Sequence, residues 1–267
     1  MMTTHLALLP PPMAACTAML LGAAVSCSGL LLVHRFLPHG IRSAHNDVAG
    51  FVLAIVGVIY AVLLAFIAVA VWQSFGQAED LVETEANLVG NLYRDTSALP
   101  EPAAASLRND LFVYAETVVQ DEWPELSAGR IDESSGWQLL DRFHTTLFEI
   151  RTDNQALTLL QADMGRTLNQ LYDARRGRFH VAGASLPTIL WCNLIGGAVI
   201  LVGFTYLFGA PNLKMHLSMV ALLGAMIGLI LALVLLLNKP FQGRSHVSVQ
   251  PFERLVSSVE SMAYPRK

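Results

Sequence analysis

Four stretches of the chain, Met13 to Val33, Gly50 to Trp72, Pro187 to Phe208 and Leu217 to Leu237, contain no Asp, Glu, Lys or Arg. Each is close to the ~20 apolar residues that an α-helix needs to cross the hydrocarbon core of a bilayer. Runs of this length have no place in the core of a small soluble domain, and the composition agrees: 54% of the 267 residues are hydrophobic and only 14% are charged. A soluble domain carries about 25% charged residues. The expected fold is an all-α membrane protein with four transmembrane helices. Its divisions are an N-terminal tail 1–12, spans one and two in 13–72, an insert 73–186, spans three and four in 187–238, and a C-terminal tail 239–267.

Charge is partitioned as sharply as hydropathy. Residues 73–186 hold 18 acids and 9 arginines, a net charge of −9, while the remainder carries +5. An acidic insert excludes nucleic acid as a partner, because phosphates demand a basic surface. With four spans the termini and the insert share one side. That side carries Arg175, Arg176, Arg178, Lys239, Arg244 and Arg254 near the spans, against Arg35, Arg42 and Lys214 on the other. The positive-inside bias then predicts a multi-pass membrane protein with termini and insert cytoplasmic. Arg175, Arg176 and Arg178 read as a basic group at the membrane surface. Ala24-Val25-Ser26-Cys27 faintly resembles a lipoprotein cleavage site, but apolar residues continue through Val33, so a retained span is expected.

The insert has a helical period throughout. Between Val71 and Leu92 there is no proline and no turn cluster, and Ala78, Leu81, Val82, Leu88, Val89 and Leu92 keep one face apolar, so the second span is predicted to continue out of the membrane. Unbroken from Gly50 to Ser97, it would be about 70 Å long at ~1.5 Å per residue. A second insert helix follows Pro100 and Pro102 and is expected to end at Pro124. A third opens at Ser134 or Ser135, and a fourth at Asp153 or Asn154.

No catalytic constellation accompanies these helices: there is neither a Gly-rich phosphate loop, a His-Glu-x-x-His helix nor a nucleophile elbow, and no motif for a cofactor. The insert acids read as solvated helix faces. His34, His39, His45 and Asp47 crowd one short loop without a known ligand spacing. Asn193 reads as a packing contact to a neighbouring helix, as do Gly224 and Gly228. Cys16, Cys27 and Cys192 all fall inside apolar windows, which suggests no disulfide framework.

Tyr60-Ala61-Val62-Leu63-Leu64-Ala65-Phe66 running into Val71-Trp72-Gln73, then Glu85-Ala86 and Asn91-Leu92-Tyr93-Arg94, resembles the long second helix of the bestrophin-like family of bacterial membrane proteins, distant relatives of the bestrophin anion channels. Tyr114, Glu122-Trp123-Pro124 and Gly129 are similar to that family's next helix and its end. The turn Asn238-Lys239-Pro240-Phe241-Gln242-Gly243 after the last span is similar to the Pro-Phe-Gly turn that bestrophins carry, with Asn238, Pro240, Phe241 and Gly243 as its marks.

The resemblance implies a homopentamer in the lipid bilayer of the bacterial plasma (inner) membrane that passes small inorganic ions; no cofactor is expected. Its pore would be lined by the second span, with the constriction at Ala54, Val58 and Val62, which at i, i+4 and i+8 share one helix face. Where calcium-activated bestrophins place acids after the last span, this chain has Gln242-Gly243-Arg244-Ser245-His246, so calcium gating is not implied. Alanine and valine also stand where bestrophin pores have aromatic rings, and Glu79, Asp80, Glu83 and Glu85 follow. Of these, Glu79 and Glu83 form one stripe and are the expected pore or vestibule charges. The competing expectation is a membrane-anchored interaction or sensory scaffold with an acidic cytoplasmic helical domain and no pore.

The charge count makes the topology testable. A cysteine introduced at Ser134 is expected to resist an impermeant thiol reagent in intact cells, and one at Ser43 to react; the opposite pattern would reverse the assignment.

Overall fold

The structure, a computed structural model, describes residues 9–36, 46–132 and 134–263. Among these the chain is helical, with no strand. Four helices are long and apolar enough to cross a membrane, and each coincides with one of the charge-free windows. They are α1 (Pro11–Phe36), α2 (Asn46–Asp95), α7 (Thr188–Thr205) and α8 (Leu213–Leu237). Between α2 and α7 come α3 (Ala103–Thr117), a π-helical segment (Val118–Glu122), α4 (Trp123–Ser127), α5 (Ser134–Glu149) and α6 (Gln155–Gly183); α9 (Gln250–Ala263) follows α8. At ~1.5 Å per residue the 50 residues of α2 extend about 75 Å.

The chain divides into two compact units, with α2 passing from one to the other at Ser74 and Phe75. The first holds α1, the apolar half of α2, α7 and α8. Here α1 and α8 touch backbone to backbone. A Cβ at Gly224 would overlap Gly22 O and Ser26 Oγ, and one at Gly228 would overlap Ala18 O. Absent side chains thus set the approach of these helices, as expected where a bilayer offers no hydrophobic drive to push helices together. Tyr60 anchors α2 to α7: its hydroxyl donates to Leu194 O at 2.8 Å, and its ring occupies the space that a side chain at Gly197 would take. Tyr206 donates to Ser26 O at 2.8 Å, and Asn46 exchanges two hydrogen bonds with the Gly209 backbone, at 3.0 and 3.1 Å. Asn193, expected to bond a neighbouring helix, is instead exposed on the protomer. Its place on α7 is one turn from Gly196 and Gly197, and only the second of those glycines meets another helix.

The second unit is a helical core under the rest of α2. Ala78, Val82, Ala86, Val89 and Leu92 pack against Leu107, Leu111 and Tyr114 of α3, Leu140, Phe143 and Leu147 of α5, and Met164, Leu168 and Leu171 of α6. These are largely the residues whose period predicted the helices. Asn154 caps α6, accepting from the Ala156 amide at 2.9 Å, where the sequence had placed the cap.

Pro124 does not end a helix as expected. Across Val118–Glu122 the hydrogen bonding widens, so that the Trp123 amide reaches Val118 O, five residues back. This reset drops Pro124 into the first turn of α4, where a missing N–H leaves nothing unsatisfied. Of the C-terminal segment, read as a tail, α9 belongs to the second unit: Phe252 is fully buried in its core, and a side chain at Gly90 would press on Leu255.

A methyl group added within an α-helix ordinarily raises stability, by about 0.5–1 kcal/mol relative to glycine. At Gly224 the sign is reversed, because the methyl group meets backbone. Gly224→Ala is expected to lower the detergent melting temperature by an amount matching about 1–3 kcal/mol of overpacking; a rise would show that α1 and α8 are not in this contact.

Candidate functional site

The helix α2 has two different sides. Tyr60, Leu64, Ile67 and Val71 are buried against the neighbouring apolar helices, while Ala54, Val58 and Val62 are exposed, Val58 at 64%. Further along, Ala78, Val82, Glu85 and Val89 continue the buried side, and Glu79, Asp80 and Glu83 are exposed. Glu79 and Glu83, four residues apart on α2, are both exposed in the second unit. Glu85 does not join them, since it is fully buried.

The basic group also resolves differently from its sequence reading. Arg176 is exposed and pairs with Asp173 at 2.6 Å, but Arg175 and Arg178 are fully buried and cannot form a membrane-surface patch. They sit in a closed ionic cluster. Arg178 grips Glu85 with two hydrogen bonds, Nε to Oε2 at 2.6 Å and Nη2 to Oε1 at 3.0 Å, and Nη2 also reaches Glu122 Oε2 at 2.7 Å. Arg175 makes a second fork to Glu122, at 2.5 and 3.1 Å, and donates to Tyr114 Oη at 3.0 Å. The Tyr114 hydroxyl donates in turn to Glu85 Oε1 at 2.5 Å.

Each part of the cluster has a local cause. Glu85 arrives from α2 at a core position, in phase with Ala78, Val82, Val89 and Leu92. Arg175 and Arg178 continue the Leu168 and Leu171 face of α6, and Glu122 ends the π-helical segment. Gly136 of α5 closes the top: a Cβ there would overlap Arg175 Nη2 and Glu122 Oε1. The Arg175 guanidinium lies 5.3 Å from the Tyr114 ring centre and 4.9 Å from that of Phe179.

Burial acts against the charge of Arg178, but Glu85 and Glu122 outweigh it and hold its pKa above the ordinary arginine value. Burial, reinforced by Glu85 and only partly opposed by the two arginines, raises Tyr114 well above the usual phenol range. The hydroxyl therefore stays protonated and keeps donating to Glu85. Two cations and two anions balance, so the cluster brings no net charge into the core. The sequence did carry one signal for it: all three of Glu85, Arg175 and Arg178 interrupt apolar stripes at core spacing.

The turn after α8 holds its place through each of its marked residues. Asn238 Oδ1 accepts from the Leu186 amide at 2.7 Å, and Pro240 O accepts from the Val247 amide at 2.7 Å. Phe241 is buried edge-on against Trp123, with ring centres 5.6 Å apart. Gly243 has φ +78°, a left-handed conformation that strains any residue with a side chain. Of the loop histidines, His39 and His45 lie outside the described residues.

Several comparisons bear on this architecture. Structures of a bacterial bestrophin homologue from Klebsiella pneumoniae share the fold. A Leu-to-Thr point mutant gives a TM-score of 0.68 at 14% identity over 94% of this chain and 99% of that one. A structure phased by Zn-SAD gives 0.64 at 15% identity over 92% and 95%. A further solved chain, described as a membrane protein mutant, gives 0.68 at 15% identity over 93% and 97%. No curated protein matches the chain. The model of the bestrophin-like domain matches residues 20–252, most of the chain, and the protein therefore belongs to the bestrophin-like family of membrane proteins.

Proposed function

We propose that the protein is the subunit of a bestrophin-like ion channel, a homopentamer whose pore is lined by α2. In this reading α1, α2, α7 and α8 cross the bacterial plasma membrane, and residues 73–186 and both termini lie in the cytoplasm. Ala54, Val58 and Val62 form an apolar constriction that gates by dewetting. The observation that carries the reading is the open side of α2. A helix with one side packed and the other lined by Ala54, Val58 and Val62 has the surface that a ring of copies would turn toward an axis.

Glu79 and Glu83 supply the charge beyond the constriction, and Asp80 points about 100° away from Glu79. Rings of acids attract cations and repel anions, so the pore is expected to be weakly selective in spite of the anion preference that the link to bestrophins suggests. The scaffold alternative requires no axis, and a particle of fewer than three subunits would favour it.

In planar bilayers the purified oligomer is expected to conduct, and Val58→Ala or Val62→Ala to change single-channel conductance by widening the apolar ring. Silence of a verified oligomer across salts, voltages and pH would remove the channel reading. Replacing Glu79 and Glu83 together by Gln is expected to lower the cation-to-anion permeability ratio by about threefold, which corresponds to roughly 0.65 kcal/mol. A reversal potential that follows chloride alone and ignores the double substitution would turn those acids away from the lumen.

A further inference from the structure

Two buried glutamates and two buried arginines are a poor way to stabilise a core. Their joint desolvation is severe, replacement of such clusters by packed apolar side chains is often neutral or stabilising, and here Arg178 Nη1 has no hydrogen-bond partner. Something other than stability must be gained. The packing of α2 indicates what. In the second unit its buried stripe is Ala78, Val82, Ala86, Val89 and Leu92, of which the four that flank Glu85 most closely are short side chains that define its rotation weakly. Sliding the helix by one turn exchanges Ala78 with Val82 and Val82 with Ala86, a change of only two methyl groups at each place.

Glu85 is the charged member of that stripe. Its two oxygens accept two hydrogen bonds from one planar guanidinium and one from Tyr114, an arrangement that tolerates a single orientation. Rotation of α2 would break all three and leave buried charges unpaired. The second carboxylate, Glu122, holds both arginines in place and reaches the cluster from the end of the π-helical segment. Glu83 precedes Glu85 by two residues, about 200° around the helix, so the direction of Glu85 dictates the direction of Glu83.

We infer that Glu85, Glu122, Arg175, Arg178 and Tyr114 form a register lock that fixes the rotation of α2 in the helical unit and thereby sets the direction of the Glu79 and Glu83 stripe, with Asp80 and Thr84 about 100° further round the helix. These are positioning residues. The lock rests on the channel reading only in assigning that stripe to a lumen; the rotation itself is a property of the helical unit.

The test uses the full-length oligomer with Cys16, Cys27 and Cys192 replaced by Ser. Single cysteines at Ala78, Val82, Ala86 and Val89, all buried, and at Glu79, Asp80, Glu83 and Thr84, all exposed, are timed for reaction with a charged methanethiosulfonate. With the lock intact the rates should vary periodically along the helix. In the apolar variant Glu85→Leu, Glu122→Leu, Arg175→Met, Arg178→Met, Tyr114→Phe the spread between fastest and slowest should fall about tenfold, with a melting temperature equal to or above that of the parent. Arg178→Lys keeps the charge but loses the fork, and should flatten the pattern in the same direction. It carries the test alone if the apolar variant does not assemble. An unchanged rate pattern in an assembled lock variant overturns the proposal, because packing alone would then set the rotation. Absence of current in the parent would count against the channel and leave this labelling result standing.

Discussion

A backbone that enters hydrocarbon must carry its hydrogen bonds with it, and the rest of this protein follows from how α2 meets that condition. Once helical, the chain has no reason to stop at the membrane surface unless a proline, a glycine cluster or a capping residue makes it stop. Between Trp72 and Asp95 there is no proline and no glycine cluster, and the helix runs through. One element thereby supplies the packed side of a membrane unit through Tyr60, Leu64 and Ile67, and the packed side of a helical unit through Val82, Glu85 and Val89.

The two units solve the same problem of helix packing with different chemistry. Among the spans, where the surroundings are as apolar as the side chains, close contact comes from the absence of atoms at Gly22, Gly224 and Gly228 and from hydroxyls that reach backbone carbonyls. In the helical unit water supplies the drive, and large side chains such as Phe143, Tyr114 and Phe252 fill the core. That core also surrounds two arginines. A guanidinium can be buried there because each of its charges meets a carboxylate and its flat faces lie against aromatic rings; in hydrocarbon the same group would have had to find those partners within the spans.

The Glu122 end of the cluster shows how local irregularity and long-range packing are joined. The π-helical segment inserts its extra residue just before Trp123-Pro124, which brings Glu122 into the cluster, lets Pro124 fall in a first helical turn, and puts Trp123 against Phe241. Such segments are rare and concentrate where a helix must present a particular side chain. Glycine at position 136 is part of the same arrangement, since any side chain there would occupy the space of the Arg175 fork.

Sequence alone determined what depends on neighbours along the chain. The apolar helices show as runs without charge, the continuity of α2 as a missing stop, the helices of the insert as apolar residues at a period of 3.6, and the start of α6 as Asp153 or Asn154 followed by that period. It also put Ala54, Val58 and Val62 on one helix face, and the structure leaves all three exposed. What it misread were the groups whose meaning lies in distant partners. Arg175 and Arg178 look like surface residues because an arginine with no partner must be at the surface; their partners are Glu122, in a helix irregularity that no period announces, and Glu85, separated from Arg178 by 93 residues. Periodicity is a local property, and it fixes which side of a helix is covered. Whether a charge can be covered is decided by electrostatic compensation from another element, and only the tertiary structure brings that element within 3 Å.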